Sequence, residues 1–332
     1  MPAPPMSSDP HRPLVPLSEI EDAAARIGHV ARRTPLVAAS ADPRRRGLRL
    51  KCENLQATGS FKIRGAANMI AQLDRALLER GVITYSSGNH GQALACAARL
   101  ASAPAVIVMP TTAPAVKVNG ARAYGAEIVL AGTSSADRKR EAERIAADRG
   151  LTMVPPFEHR WIIAGQGTVG LEIAETFPDV EAVYVPVGGG GLLAGIAAAV
   201  KRLRPAIRVI GVEPAGAARM RASLDRGSPV TLEHTASIAD GLLPLRPGDL
   251  TFAHARALVD DVVTVRDESI ARAVAWLARE SKLVVEPSGA ASVAAVLDRH
   301  GAVDEDHARI AAVLSGGNVA PDAYAACLTA SG

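Results

Sequence analysis

The chain has 332 residues, 48% of them apolar and 21% charged, with 37 Lys and Arg against 34 Asp and Glu. That length admits two domains sharing a core but no large appended module. A net charge of +3 spread over so much chain excludes the dense basic footprint that a nucleic-acid partner requires, and 4 Phe, 4 Tyr and 2 Trp leave few stacking platforms. Any site must therefore work through backbone groups, hydroxyls and amides.

In chain order, residues 1–16 are proline-rich without an apolar signal core and read as a disordered leader. Ser18 and Glu21 have capping-box spacing, which predicts a helix opening near Glu19, and Thr34-Pro35 closes the segment that follows. Arg44, Arg45 and Arg46 read as an exposed turn. Strands are predicted over 49–53, 82–85, 105–109, 127–130, 182–187, 208–212, 262–265 and 310–314, with alanine-rich helical patterns between them. Such alternation predicts an α/β fold whose parallel sheet carries crossover helices on both faces. The alternating charges from Asp137 to Arg144 read as a solvated helix face.

Residues 182–200 are nineteen uncharged positions, enough to span a membrane. Pro186 and the glycines behind it predict strand, loop and helix instead, so no membrane partner is expected. Gly165-Gln166-Gly167-Thr168-Val169-Gly170 matches the dinucleotide fingerprint GxGxxG, but the acidic residue needed about twenty positions later is missing. That segment is predicted to be a glycine-rich turn letting helix and cofactor approach closely. Cys52, Cys96 and Cys327 are odd in number and far apart, which supports neither a disulfide framework nor a zinc site and fits a reducing cytoplasm.

Four segments share a strand end, small or hydroxyl residues and a helix start: Ser60 to Gly65, Ser86 to Gly91, Gly188 to Gly191, and Ser315 to Asn318. Open α/β sheets bind ligands at such places. Gly188, Gly189, Gly190 and Gly191 would let several N–H groups converge with a helix N-terminus on one phosphate. Lysine is scarce, six (Lys51, Lys62, Lys117, Lys139, Lys201, Lys282) against thirty-one arginines, and arginine cannot form an imine. Lys62 follows Ser60, a candidate N-cap, in the first turn of a helix whose dipole disfavours the ammonium. A neutral amine is what imine chemistry needs.

A phosphate-bearing aldehyde held as a lysine imine is pyridoxal 5′-phosphate (PLP). Together the four segments resemble the threonine/serine dehydratase and serine racemase group of fold-type II PLP enzymes, from Arg33-Thr34-Pro35-Leu36 to Ser315-Gly316-Gly317-Asn318. The resemblance implies two open, mostly parallel sheets flanked by helices. It places a large domain at 17–80 and 157–332 and a smaller mobile one at 81–156. Lys62 would bind the aldehyde and act as base, with Phe61 packed on the ring, Asn89 at the ring hydroxyl and Ser315 at the pyridine nitrogen. Gly188 to Gly191 would hold the phosphate, and Gly241 and Glu286 would line the pocket. Ser86, Ser87, Gly88, Asn89 and His90 would receive the substrate carboxylate, and Ser87 could also return a proton from the face opposite Lys62. The implied reaction is β-elimination of L-threonine and L-serine to a 2-oxo acid and ammonia. Amino-acid racemisation and 3-hydroxyaspartate elimination are the alternatives, and a homodimer or homotetramer is expected.

Two departures stand out. Racemases of this group place an acidic pair and a carbonyl around a divalent cation after a Gly-Val-Glu-Pro segment. Here Glu213 and Ala217 match, but Arg219 stands where the second acid belongs. A guanidinium there repels a cation and is expected to pair with Glu213, so no metal is expected. His159 and Arg160 replace an aspartate-rich pattern and could select what the substrate β-carbon carries.

Overall fold

A computed structural model describes residues 14–40, 47–86, 88–113, 115–300 and 308–329. Arg44, Arg45, Arg46 and Ser87 lie outside the described residues, as do residues 1–13 of the expected leader. Its last residues are packed: Val15 is buried, and its N–H donates to His254 Nε2 at 2.9 Å.

Ten strands form among the described residues: β1 (Leu36–Ala38), β2 (Leu48–Lys51), β3 (Val82–Tyr85), β4 (Ala105–Met109), β5 (Glu127–Leu130), β6 (Thr152–Met153), β7 (Ala182–Pro186), β8 (Arg208–Pro214), β9 (Asp261–Val265) and β10 (Ile310–Val313). They make a six-stranded sheet ordered β1-β2-β10-β7-β8-β9 and a four-stranded sheet ordered β5-β4-β3-β6. Every pairing is parallel except β1 with β2. The chain is thus α/β with two open, mostly parallel sheets flanked by helices, and the four-stranded sheet draws its strands from one continuous stretch.

Period-2 alternation fills both faces of each sheet. On β7, Ala182 and Tyr184 enter the core under helix Pro287–Leu297, while Val183 and Val185 enter the core under helices Arg160–Thr176 and Gly191–Leu203. In the small sheet, Ile83 and Val106 meet Ala142 and Ile145 of helix Ser135–Arg149, whereas Val82 and Ile107 face helix Asn89–Leu100. The apolar run 182–200 divides into β7, a loop and helix Gly191–Leu203, and no described helix is long and apolar enough to cross a membrane. Helix Ser135–Arg149 is the expected solvated one: only Arg138, Ala142 and Ile145 are buried, and Ser134 and Asp137 close a capping box.

Three local expectations are corrected. The first helix, Leu17–Ile27, begins directly after the extended Pro16 and has no side-chain cap; Ser18 and Glu21 both lie inside it, so their spacing forms no capping box. Ser60 is not an N-cap either, because it is drawn into an antiparallel bridge with Gly316, and helix Lys62–Ile70 starts after Phe61, which already has helical dihedrals. The GxGxxG segment is no turn: Gly165, Gly167 and Gly170 lie inside helix Arg160–Thr176. A Cβ on Gly165 would stand 2.7 Å from Gly65 Cα, and one on Gly195 would stand 2.5 Å from the Gly167 nitrogen. These glycines let helix Arg160–Thr176 touch helices Lys62–Ile70 and Gly191–Leu203 backbone to backbone. The close approach is between helices, not between helix and cofactor.

Candidate active site

The strand ends bring the four predicted segments together. Ser60 bridges Gly316, and the Phe61 N–H donates to Ser315 O at 3.1 Å, which joins the lysine segment to the turn after β10. Asn318 Nδ2 donates to Asn89 Oδ1 at 2.8 Å, and Asn89 Nδ2 donates to Glu286 Oε1 at 2.6 Å, which ties the loop after β3 to the same place. The Gly241 N–H donates to Ser288 Oγ at 2.9 Å, and a Cβ on Gly188 would come within 3.1 Å of Gly241 O. Gly241 therefore borders the glycine loop.

Lys62 is the first residue of its helix. Its Nζ donates to Pro156 O at 2.8 Å and lies 5.1 Å from the centre of the Phe61 ring. Desolvation of the enclosed amine lowers its pKa from 10.5 to about 8, against an opposing pull from Glu286. The direction agrees with the sequence reading, but burial, rather than the helix dipole, is the principal cause. The next residue, Phe157, packs on the glycine loop; a Cβ on Gly189 would fall 2.2 Å from its ring. One peptide unit thus links the contact of the reactive amine to the cradle.

The glycine loop turns its carbonyls onto protein partners and leaves its N–H groups open. The Gly189 carbonyl accepts from Thr251 Oγ1 at 2.7 Å, and the Gly190 carbonyl accepts from the Ala194 N–H at 2.8 Å. Arg219 takes the carbonyls of Val187 and Gly188. The N–H groups from Gly188 to Gly191 meet no acceptor among the described residues. Gly190 adopts φ +95° at the start of an uncapped helix, whose first-turn donors have no helical acceptors. A phosphate would satisfy that array.

The loop after β3, expected to receive the substrate carboxylate, is made differently. Ser86 Oγ accepts from the Gly88 N–H at 3.3 Å. His90 Nε2 faces Val154 O at 3.1 Å, while its Nδ1, buried, has no partner. Burial and the nearby Lys62 push the His90 pKa down to about 3, so the ring stays neutral. Glu286, raised to about 8 chiefly by burial and next by Asp240, is mostly protonated at neutral pH. A cation missed by sequence reasoning lies beside this loop: Lys117, on helix Ala115–Arg122, pairs with Asp240 and would stand 3.6 Å from a Cβ on Gly88. Only its scarcity as a lysine could have marked it.

Beneath Lys62, Arg64 donates to both oxygens of Glu53 at 2.8 Å, to Glu172 at 2.6 and 3.0 Å, and to Thr168 Oγ1 at 3.0 Å. This buried network pins the lysine helix; removing one member would strand a buried charge. His159 and Arg160, expected to influence what the substrate β-carbon carries, both have contacts at the start of helix Arg160–Thr176. His159 Nδ1 accepts from the Trp161 N–H at 3.1 Å, and Arg160 grips Glu19 at 2.7 to 2.9 Å. These contacts start and tether helix Arg160–Thr176.

Fold and site together bring a lysine amine, a glycine loop with N–H groups unpartnered among the described residues and the buried Ser315 to the ends of one α/β sheet. The chain belongs to the pyridoxal-phosphate-dependent enzyme family, whose model matches residues 27–316. It is 44% identical over 308 residues to an L-threonine ammonia-lyase of Thermotoga maritima, covering 92% of this chain and 76% of the relative. It is 40% identical to a serine racemase of Oryza sativa subsp. indica, covering 91% of each. Its fold is similar to that of maize serine racemase with a TM-score of 0.90 and 38% identity, covering 96% and 98% of the two chains. These are fold-type II PLP enzymes, and the lysine, loop donors and serine present here fit that cofactor.

Proposed function

We propose that this PLP-dependent enzyme is an ammonia-lyase that converts L-threonine, and also L-serine, to 2-oxobutyrate or pyruvate and ammonia. The single observation that carries the chemistry is the Lys62 amine, held beside the glycine loop with its pKa lowered to about 8. The likeness to the Thermotoga maritima ammonia-lyase supports the substrate. Bound PLP supplies an electron sink conjugated to the substrate α-carbon.

Lys62 then acts as the base that takes the Cα proton. The Cβ–O bond breaks, the hydroxyl leaves as water, and one water returns when the released enamine hydrolyses, so the balance is amino acid to 2-oxo acid plus ammonia. Ser315 would offer the pyridine nitrogen a neutral hydroxyl rather than a carboxylate. That makes a weaker sink, suited to a reaction in which a leaving group carries the electrons away. Ser86, Gly88, Asn89 and His90, with Ser87, would receive the substrate carboxylate through hydroxyl and N–H donors. Residues 81–156 would form a smaller mobile domain that closes over the substrate and excludes water. The three cysteines, all buried and none in a disulfide among the described residues, support a reducing cytoplasm, and we expect a homodimer or homotetramer.

The test is a 2-oxo acid assay with threonine, serine and 3-hydroxyaspartate, with borohydride reduction to fix the cofactor on the protein. Threonine turnover with the label on the Lys62 peptide is expected. No 2-oxo acid from any of the three would overturn the reading. The likeness to a serine racemase supports a second reading, recognised by deuterium entering Cα of recovered serine without matching 2-oxo acid.

A further inference from the structure

Behind the glycine loop, between the ends of β7 and β8, lies an ion pair with no solvent access. Glu213 and Arg219 are both 0% exposed, and Arg219 Nη2 stands 3.6 Å from Glu213 Oε1. The guanidinium is surrounded by oxygen. Its Nη2 donates to Val187 O and Gly188 O at 2.8 Å each, its Nε donates to Gly188 O at 3.1 Å, and its Nη1 donates to Ala217 O. The Glu213 carboxylate accepts from the N–H groups of Met220 at 3.0 Å and Arg221 at 2.9 Å.

A carboxylate and three carbonyls, all hard oxygen donors, form a set that would suit a divalent cation. A metal does not fit here: the guanidinium already fills the space and takes the Ala217 carbonyl, and no cluster able to hold a metal occurs among the described residues. A buried carboxylate opposite one guanidinium is neutral as a pair, whereas an added divalent ion would leave uncompensated charge in a dry place. The pair also has a geometric effect. Val187 and Gly188 open the phosphate loop, and turning their carbonyls back onto Arg219 leaves the N–H groups that follow for the cofactor.

We propose that Arg219 is a built-in cation: it clamps the back of the phosphate loop and lets this chain hold PLP with no divalent metal at the Glu213 position. Arg219 is a positioning residue, acting on the cofactor only through the loop. The inference rests on the cofactor assignment and not on the substrate, so it survives if threonine is not turned over.

The experiment measures the PLP dissociation constant of the full chain by cofactor absorbance. In the native enzyme, chelator treatment and added Mg²⁺ or Ca²⁺ should leave that constant within about twofold. Arg219→Ala should weaken PLP binding about ten- to a hundredfold, the effect of losing several hydrogen bonds from a charged donor. Free guanidinium or a divalent cation should restore binding, because either can enter the vacated space beside Glu213. The double variant Glu213→Gln, Arg219→Met removes the charges together and fills the space. It should fold, as followed by circular dichroism, yet bind PLP weakly and gain nothing from added cations. Should Arg219→Ala fail to fold, the double variant carries the test. The proposal is overturned if a chelator strips PLP from the native enzyme and a divalent cation returns it, or if the double variant binds PLP as the native chain does.

Discussion

The loops after β7 and β3 are both strand-to-helix turns that we propose as anion sites, yet they are held in opposite ways. In the glycine loop, successive carbonyls are tied from behind by buried partners, Arg219 and Thr251, and Phe157 fills the side where a Cβ on Gly189 or Gly191 would go. The carboxylate loop belongs to the four-stranded sheet. It reaches the six-stranded one through a few exchangeable polar bonds, Asn89 to Glu286, Asn318 to Asn89, and Lys117 to Asp240. In the proposed function one loop would be a fixed cradle for the resident cofactor, and the other would adjust to a substrate that comes and goes.

Lys62 stands between the two loops, and its loss should have the largest effect. Lys62→Ala should lower kcat by more than about a thousandfold and abolish borohydride fixation of cofactor, while cofactor-free protein keeps its circular dichroism. Next comes pH. With the amine pKa lowered to about 8, the neutral fraction falls about tenfold for each unit below that value. Stopped-flow capture of PLP by cofactor-free protein should therefore plateau above pH 8 and be about a hundredfold slower at pH 6. Glu286 gives the opposite sign in stability. Its folded pKa is raised from 4.5 to about 8, so its contribution is fully present below pH 4.5 and lost as pH rises through 8. Cofactor-free Glu286→Gln should thus gain thermal stability over the native chain steadily across that window.

Gly189→Ala tests the rigidity of the cradle. The new methyl would fall 2.2 Å from the Phe157 ring, and neither the ring nor the tied loop can give way cheaply. PLP affinity measured by absorbance should drop about tenfold or more, while KM for threonine in PLP-saturated enzyme changes little.

How much of this was visible in the sequence follows the range of the interactions. Strands β3, β4 and β5 match their predicted limits because runs such as Ala105–Met109 are β-branched or apolar throughout, with turn residues behind them. Strands β1 and β6, of three and two residues, are too short to show a period and exist only through their neighbours. Lys62 and the four glycines stood out in the sequence because their signals are local: a scarce residue type at a helix start, and a glycine run directly after a strand. Gly165 misled because a helix-crossing glycine and a turn glycine look alike until the facing Gly65 is known. Phe157, Arg64 and Lys117 act across the fold from their partners, and no spacing along the chain announces them.

On the adjustable side, Lys117 separates two reasons for a cross-sheet bond. Lys117→Met removes both the bridge to Asp240 and the cation beside Gly88, whereas Asp240→Asn weakens the bridge but leaves the cation. If charge beside the loop helps to draw in the substrate carboxylate, Lys117→Met should raise KM about tenfold with kcat within about threefold. Asp240→Asn should raise KM by less, since Asp240 is half exposed and solvent-screened pairs contribute little. Equal effects from both would mean that the bridge alone matters, and the carboxylate loop would then resemble the fixed one.

The smallest change is expected from Gly88→Ala, the counterpart of Gly189→Ala in the other loop. The space beside Gly88 is open, with no backbone atom near the place of a Cβ. Such a Cβ would meet only the far end of the Lys117 side chain, Nζ at 3.6 Å, which can swing aside. KM should therefore rise no more than about threefold, and PLP affinity should not move. The same added methyl would then cost the cradle its cofactor and cost the carboxylate loop almost nothing. A loss of PLP from Gly88→Ala would show instead that the loops are mechanically coupled, with the bonds through Asn89 and Asn318 carrying strain from one to the other.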